Sequence, residues 1–104
     1  MSRIEQLQSF VAQMPEDPFP RYGLALELKN AGRLEESHTT FTELIHKFPD
    51  YTAAYLHAGG VLVALGRKQD AAETYRQGLE ACTRKRDFHA KGELETALLD
   101  LGPL

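Results

Sequence analysis

Gly32-Arg33-Leu34 returns as Gly66-Arg67-Lys68, and the interval between the two glycines (66 − 32 = 34) extends to the residues on either side. At this offset Ala25 falls on Gly59, Leu28 on Leu62, Phe41 on Tyr75 and Ile45 on Leu79, so small residues meet small and large meet large. A period of this length marks stacked units, each too small to bury its apolar face alone. Each glycine lies between two stretches of helical periodicity, so the unit reads as helix, tight turn, helix.

The first full unit opens at Asp17-Pro18, a side-chain acceptor followed by a residue whose missing amide hydrogen costs nothing in a first helical turn. Its first helix carries Tyr22, Leu24, Ala25, Leu26 and Leu28 and closes at Gly32, which can take the left-handed conformation of a helix terminus. A second helix, from about Leu34 to Lys47, places Leu34, Phe41, Leu44, Ile45 and Phe48 inside and stops at Pro49. Thr39, Thr40 and Thr42 are mediocre helix formers, so packing has to hold it. The next unit repeats the plan. Asp50 is the expected cap of a helix with Tyr55, Leu56, Ala58, Val61, Leu62 and Leu65, and its partner runs from Lys68 to about Thr83 with Ala71, Ala72, Tyr75 and Leu79 inside.

Ahead of these units, Ser2-Arg3-Ile4-Glu5 has the form of a capping box, and Ile4, Leu7, Phe10, Val11 and Met14 share one stripe before Pro15. Counting back 34 residues from Phe41, Ile45 and Pro49 reaches Leu7, Val11 and Pro15, so the opening helix is the second half of a truncated unit. Beyond Asp87 the register fades. Ala90, Leu94, Ala97, Leu98 and Leu101 still form one face of a closing helix, with Glu93, Glu95 and Asp100 on the other. Such a helix would cap the apolar end of a stack. The reading is a single all-α domain of about six antiparallel helices without strands: a half repeat at 1–15, repeats at 18–49 and 52–83, and a capping helix at 87–101.

Composition limits the function classes. With 104 residues, 42% hydrophobic and 26% charged, the chain is an ordinary globular domain with a modest core. A net charge of −3 argues against sequence-independent nucleic-acid binding, which needs a basic face to neutralise phosphates. The one dense basic run, Arg84-Lys85-Arg86, reads as a solvated complement to a helix C-terminus. Cys82 is the only cysteine, which excludes an intramolecular disulfide and suits a buried thiol. Met1–Glu5 shows no secretion signal, and the most apolar stretch, 53–66, is interrupted by His57 and too short to span a bilayer. Neither nucleic acid nor membrane is an expected partner, and residence in the cytoplasm is the default.

The mid-helix glycines need a reason, since each costs about 1 kcal/mol relative to alanine. Gly59, aligned with Ala25, reads as a close approach between helices. Gly60, aligned with Leu26, reads either as packing or as a widening of a groove for a ligand. Gly78, aligned with Leu44, has no account beyond packing.

These residues resemble the tetratricopeptide repeat, a helical hairpin with large, small and aromatic residues at set places and a terminal proline. Leu24, Ala25, Leu28, Phe41, Leu44 and Pro49 match in the first unit, and Tyr55, Gly59, Leu62, Ala71 and Tyr75 in the second. Arg21 stands in place of the usual aromatic, Ser37 and Gly78 in place of alanines, and Thr83 in place of the proline. The resemblance implies a right-handed solenoid whose first helices line a concave surface that binds peptides or proteins. It places Phe19, Tyr22, Leu26 and Lys29 on that surface, with Ala53, Leu56, Gly60 and Val63 from the next repeat. A mostly apolar lining of this kind suits an apolar or amphipathic helix of another protein. Tyr22, Leu26 and His57 hold the places where some members clamp a C-terminal carboxylate with lysine and asparagine, so that ligand is not expected. The alternative is a self-assembling scaffold, with these faces covered by a terminal helix or a second copy.

An enzyme is not expected. Glu35 with His38 and Glu43 with His46 have the Glu-x-x-His spacing of helical metal sites, but both pairs share one helix whereas such centres draw ligands from several. His57 reads as a partner-binding donor or an interior histidine, and His89 has no partner legible in the sequence. There is no nucleophile in a strand-turn-helix context and no phosphate-cradling glycine loop. No metal and no cofactor are expected.

Overall fold

A computed structural model describes residues 1–104 and forms six helices with no strand: α1 (Arg3–Gln13), α2 (Pro18–Asn30), α3 (Leu34–Lys47), α4 (Ala53–Ala64), α5 (Lys68–Lys85) and α6 (Phe88–Leu101). Each helix packs on the next in sequence. In addition α2 touches α4 and α4 touches α6, whereas nothing joins α1 to α3 or α3 to α5. The even helices therefore form one inner row and the odd helices stand outside it, in a slab measuring 42 × 29 × 18 Å.

The caps follow the local sequence. Ser2 and Glu5 form the reciprocal capping box, and the Phe19 amide donates to Asp17 Oδ1 at 3.0 Å. Gly32 and Gly66 stand at φ 77° and 78°. Behind them the amides of Arg33 and Arg67 donate to the carbonyls of Leu28 and Leu62, the wrap-around bond that ends a helix on a left-handed residue.

The same bond runs from Asp87 to Cys82 across Arg86, the one non-glycine residue with positive φ (55°). A side chain pays a steric cost there that glycine does not. Arg86→Gly is therefore expected to stabilise the chain by about 1 kcal/mol, read as a rise in the urea midpoint.

Two expectations need correction. Asp50 does not cap α4. That helix starts at Ala53, three residues on; its cap residue, Thr52, makes no capping bond through its side chain, and Asp50 instead pairs with Arg84 Nε at 2.9 Å. Secondly, α5 runs two residues past Thr83. Pro49 ends α3 because the residue before a proline is pushed out of the helical region, and Thr83 exerts no such constraint. The extra turn carries Arg84 to Asp50. It also brings Asp87 to α4, where Thr52 Oγ1 donates to Asp87 Oδ2 at 2.6 Å while Asp87 Oδ1 caps α6 through the Ala90 amide.

Three clusters form the interior. Leu7, Leu24 and Leu28 join α1 to α2, with Ile4 and Val11 alongside; Phe10 and Met14, expected on the same stripe, are 44% and 41% exposed because α1 packs on α2 alone. Ala25, Phe41, Leu44, Ala54, Ala58 and Val61 join α2, α3 and α4. Tyr55, Leu62, Ala71, Ala72, Tyr75, Cys82, Leu94 and Leu101 are among those joining α4, α5 and α6. Gly59 and Gly78 are explained by close approach. A Cβ on Gly59 would stand 2.1 Å from the Tyr75 ring, and one on Gly78 would stand 2.6 Å from Tyr55 and 2.8 Å from Leu94.

The departures from the repeat pattern have local solutions or costs. Ser37 is fully buried and donates to the Ala25 carbonyl at 2.7 Å, which satisfies a hydroxyl where alanine is usual. Arg21 keeps Nε and Nη1 buried with no acceptor, whereas Tyr55, its counterpart one repeat on, donates its hydroxyl to the Pro49 carbonyl.

Candidate functional site

The inner row of helices presents one continuous face, and its chemistry comes from all three members. On α2, Phe19 is 67% exposed, while Tyr22, Leu26 and Lys29 are half-buried. Tyr22 is the centre of an aromatic group, its ring 5.3 Å from Tyr51, 6.0 Å from His57 and 6.5 Å from Phe41. Tyr22 and Leu26 also pack on the cluster around Phe41, so only their outer edges remain free.

On α4, Val63 is 42% exposed and Gly60 is half-buried. A Cβ built on Gly60 meets only Lys29 Nζ, at 3.7 Å. No helix presses on Gly60, unlike its neighbour Gly59. Its missing side chain leaves open space on the inner face, which decides between the two readings of this glycine. Leu56 packs against the cluster of α4, α5 and α6, so its burial is shared between core and surface. A charge there would disturb the fold, contrary to the expectation that Leu56 is free for the groove alone.

The third wall was not anticipated. Helix α6, read as a cap, lies against α4 and contributes Phe88, Gly92, Glu93, Thr96, Ala97 and Asp100 to a hollow of about 610 Å³ beside Leu56. A smaller hollow of about 240 Å³, lined by Gly60, Val63, Tyr75, Ala97, Asp100 and Leu101, continues it. The signal was in the sequence at a different spacing. Because α5 is two residues longer than the repeat predicts, an offset of 36 restores the register and sets Leu56 on Gly92, His57 on Glu93 and Gly60 on Thr96.

Charge across this face is divided. Lys29 stands on the α2 side, and Glu93 and Asp100 on the α6 side. Burial pushes the His57 imidazole below the usual histidine range and the Lys29 ammonium adds to this, while Glu93 opposes it. Burial pushes the phenols of Tyr22 and Tyr75 up, and Glu93 and Asp100 respectively add to the effect. His57 thus sits neutral between two charged walls. Its folded-state pKa lies below the ordinary 6.5, so the unfolded chain binds the extra proton first. Stability is then expected to fall as pH drops from about 7.5 to about 5.5, and His57→Gln is expected to flatten that slope in urea titrations. The lowered carboxyls of Glu5, Glu36 and Asp87 act at more acidic pH, below the ordinary carboxylate range, and do not mask it.

The outer face offers less. His38 and His46 line a cleft of about 220 Å³ with Thr42, Thr74 and Gln77, and no carboxylate joins them. No group of three or more His, Cys, Asp or Glu side chains converges anywhere. His89, beside the hollow of α6, lies 3.4 Å from Glu93. Cys82 is buried, and burial pushes its thiol up. No helix is long and apolar enough to cross a membrane.

The profile of the tetratricopeptide repeat family matches residues 22–84, which include both glycine turns and more than half of the chain. The chain belongs to the tetratricopeptide repeat family. Its likeness to a tetratricopeptide repeat domain protein from Salinibacter ruber is close. The crystal structure of that protein is 36% identical over 83% of this chain and 96% of its own, with a TM-score of 0.77. Its solution NMR structure gives the same identity over 85% and 89%, with a TM-score of 0.80. A protein from Bordetella parapertussis, known from its solution structure, shares the fold with a TM-score of 0.82 over 97% of this chain and 88% of that one, at 21% identity. No curated protein matches. Helices α2 to α5 are thus two tetratricopeptide repeats, and the family's role in protein–protein interaction gives the inner face its context.

Proposed function

We propose that the inner face of this tetratricopeptide repeat chain receives an apolar or amphipathic segment of another protein, without catalysing a reaction, in the cytoplasm. The observation that carries this reading is the pair of joined hollows between α4 and α6, floored by Gly60 and Ala97 and edged by exposed Val63. Apolar side chains of a ligand would be desolvated over Leu26, Val63 and Ala97, the contact that supplies most affinity in helix-in-groove recognition. Lys29 on one wall and Glu93 and Asp100 on the other would set the direction in which the segment lies. The seven residues expected to line the groove, Phe19, Tyr22, Leu26, Lys29, Leu56, Gly60 and Val63, contribute to this seat unequally, since Leu56 and Tyr22 are partly spent on the core.

The test is selection from a displayed random-peptide library against the immobilised protein, followed by affinity measurement on the selected peptides. Val63→Asp changes a surface position, and Gly60→Leu fills the hollow without striking a helix. Each is expected to weaken the selected peptides about tenfold or more, the loss of a single contact worth roughly 1.4 kcal/mol or more, with the helical circular dichroism unchanged. Failure to enrich any peptide, or equal binding by both variants, would show that the inner face is not the site.

A further inference from the structure

We propose that the groove between α5 and α6 is the contact surface of a homodimer. It is a cavity of about 540 Å³ with Ala72, Leu79 and Leu98 at its base and Leu99 and Leu104, 81% and 57% exposed, at its rim. It excludes Leu56, Gly60 and Val63, so it is independent of the peptide seat proposed above.

The choice of a second copy as occupant rests on charge and register. The α5 wall carries Arg76 and the α6 wall carries Glu95. Arg76 has only a loose pairing with Glu73 at 3.9 Å, and Glu95 has no ion pair. A two-fold axis running along the groove sets the α5 wall of one copy over the α6 wall of the other and keeps heights along the axis unchanged. Arg76 precedes Arg86 by ten residues and Glu95 follows Asp87 by eight. At about 1.5 Å of rise per residue the two stand within ~3 Å of the same height on their antiparallel helices. Arg76 of each copy then meets Glu95 of the other, twice, as an isologous interface requires. The helices α5 and α6 with their two symmetry mates close a four-helix cluster that covers Leu98 and Leu99.

A further repeat stacked on α6 fits less well. At the offset of 36 the counterpart of Gly59, where α5 closes to van der Waals contact with α4, is Glu95. A helix approaching α6 as α5 approaches α4 would bury that carboxylate, whereas a second copy brings it a guanidinium.

The experiment is sedimentation equilibrium of the full chain from about 5 μM to about 1 mM, a range that spans weak to moderate self-association. The wild type is expected to pass from monomer to dimer, and Leu99→Asp, a change at an exposed position, to stay monomeric with an unaltered circular dichroism spectrum. Arg76→Glu and Glu95→Arg are each expected to weaken the dimer at least about fivefold, and the double variant to restore it to within about twofold, because the reversed pair regains the attraction. A wild type that stays monomeric throughout would assign the groove to a different chain and overturn the proposal. So would a dimer that survives Leu99→Asp, or a double variant no better than the two single ones.

Discussion

Replacing Gly59 with alanine is expected to destabilise the protein by about 2 kcal/mol or more, while the same change at Gly60 is expected to stabilise it by about 1 kcal/mol. The two residues are adjacent on α4, and both gain the same helical propensity. They differ in what the new methyl meets. At Gly59 it would stand 2.1 Å from Tyr75 Cε1, and that ring is only 4% exposed within the cluster of α4, α5 and α6, so the helices must part or the ring must leave its place. At Gly60 the nearest neighbour is the flexible end of Lys29, 3.7 Å away. Urea unfolding followed by circular dichroism reads both changes, and equal signs at the two positions would contradict the packing described. Gly78→Ala belongs with Gly59, because its methyl would strike Tyr55 and Leu94.

Phe41→Ala is expected to cost about 3–5 kcal/mol, the usual range for an aromatic removed from a closed core. Against a total of about 5–15 kcal/mol for a domain of this kind, that leaves little margin. Phe41 is 1% exposed and stands among Ala25, Leu44, Ala54, Ala58 and Val61, where α2, α3 and α4 meet. The loss also has a location. In a stacked array stability is nearly a sum over neighbours, and Ile45 packs against both the Phe41 cluster and the Tyr75 cluster. Hydrogen exchange is therefore expected to quicken most in α1 to α3 while the amides of α5 keep more of their protection. Uniform loss across all six helices would show that the two clusters do not behave as separate units.

The sequence made the hairpins legible because their determinants are local. The positive φ of Gly32 and Gly66, the caps at Ser2 and Asp17, and the stop at Pro49 each depend on a few consecutive residues. The interior of α2 to α5 followed from the period, which pairs positions of matched size. What escaped reading depended on geometry between distant residues. Asp50 has the chemistry of a cap but is held 34 residues away by Arg84. Thr83 lacks the stop that Pro49 supplies, so α5 gains a turn and displaces the register of everything after it. That displacement hid the part played by α6. Glu93 and Asp100 were read as its solvated side, yet with α6 laid on α4 they become the acidic wall of the inner face. Gly78 is the reverse case: the residue was noticed, but the reason for it, contact with Tyr55 and Leu94 on two other helices, exists only in the fold.

The account turns on the claim that α2, α4 and α6 together form the working surface. Nuclear magnetic resonance titration of the isotope-labelled chain with a peptide selected from the displayed library tests this most directly. The account predicts that the amide signals of Lys29, Gly60, Val63, Glu93 and Thr96 shift together and saturate together. Shifts confined to α1, α3 and α5, or to α2 and α4 with α6 untouched, would contradict it.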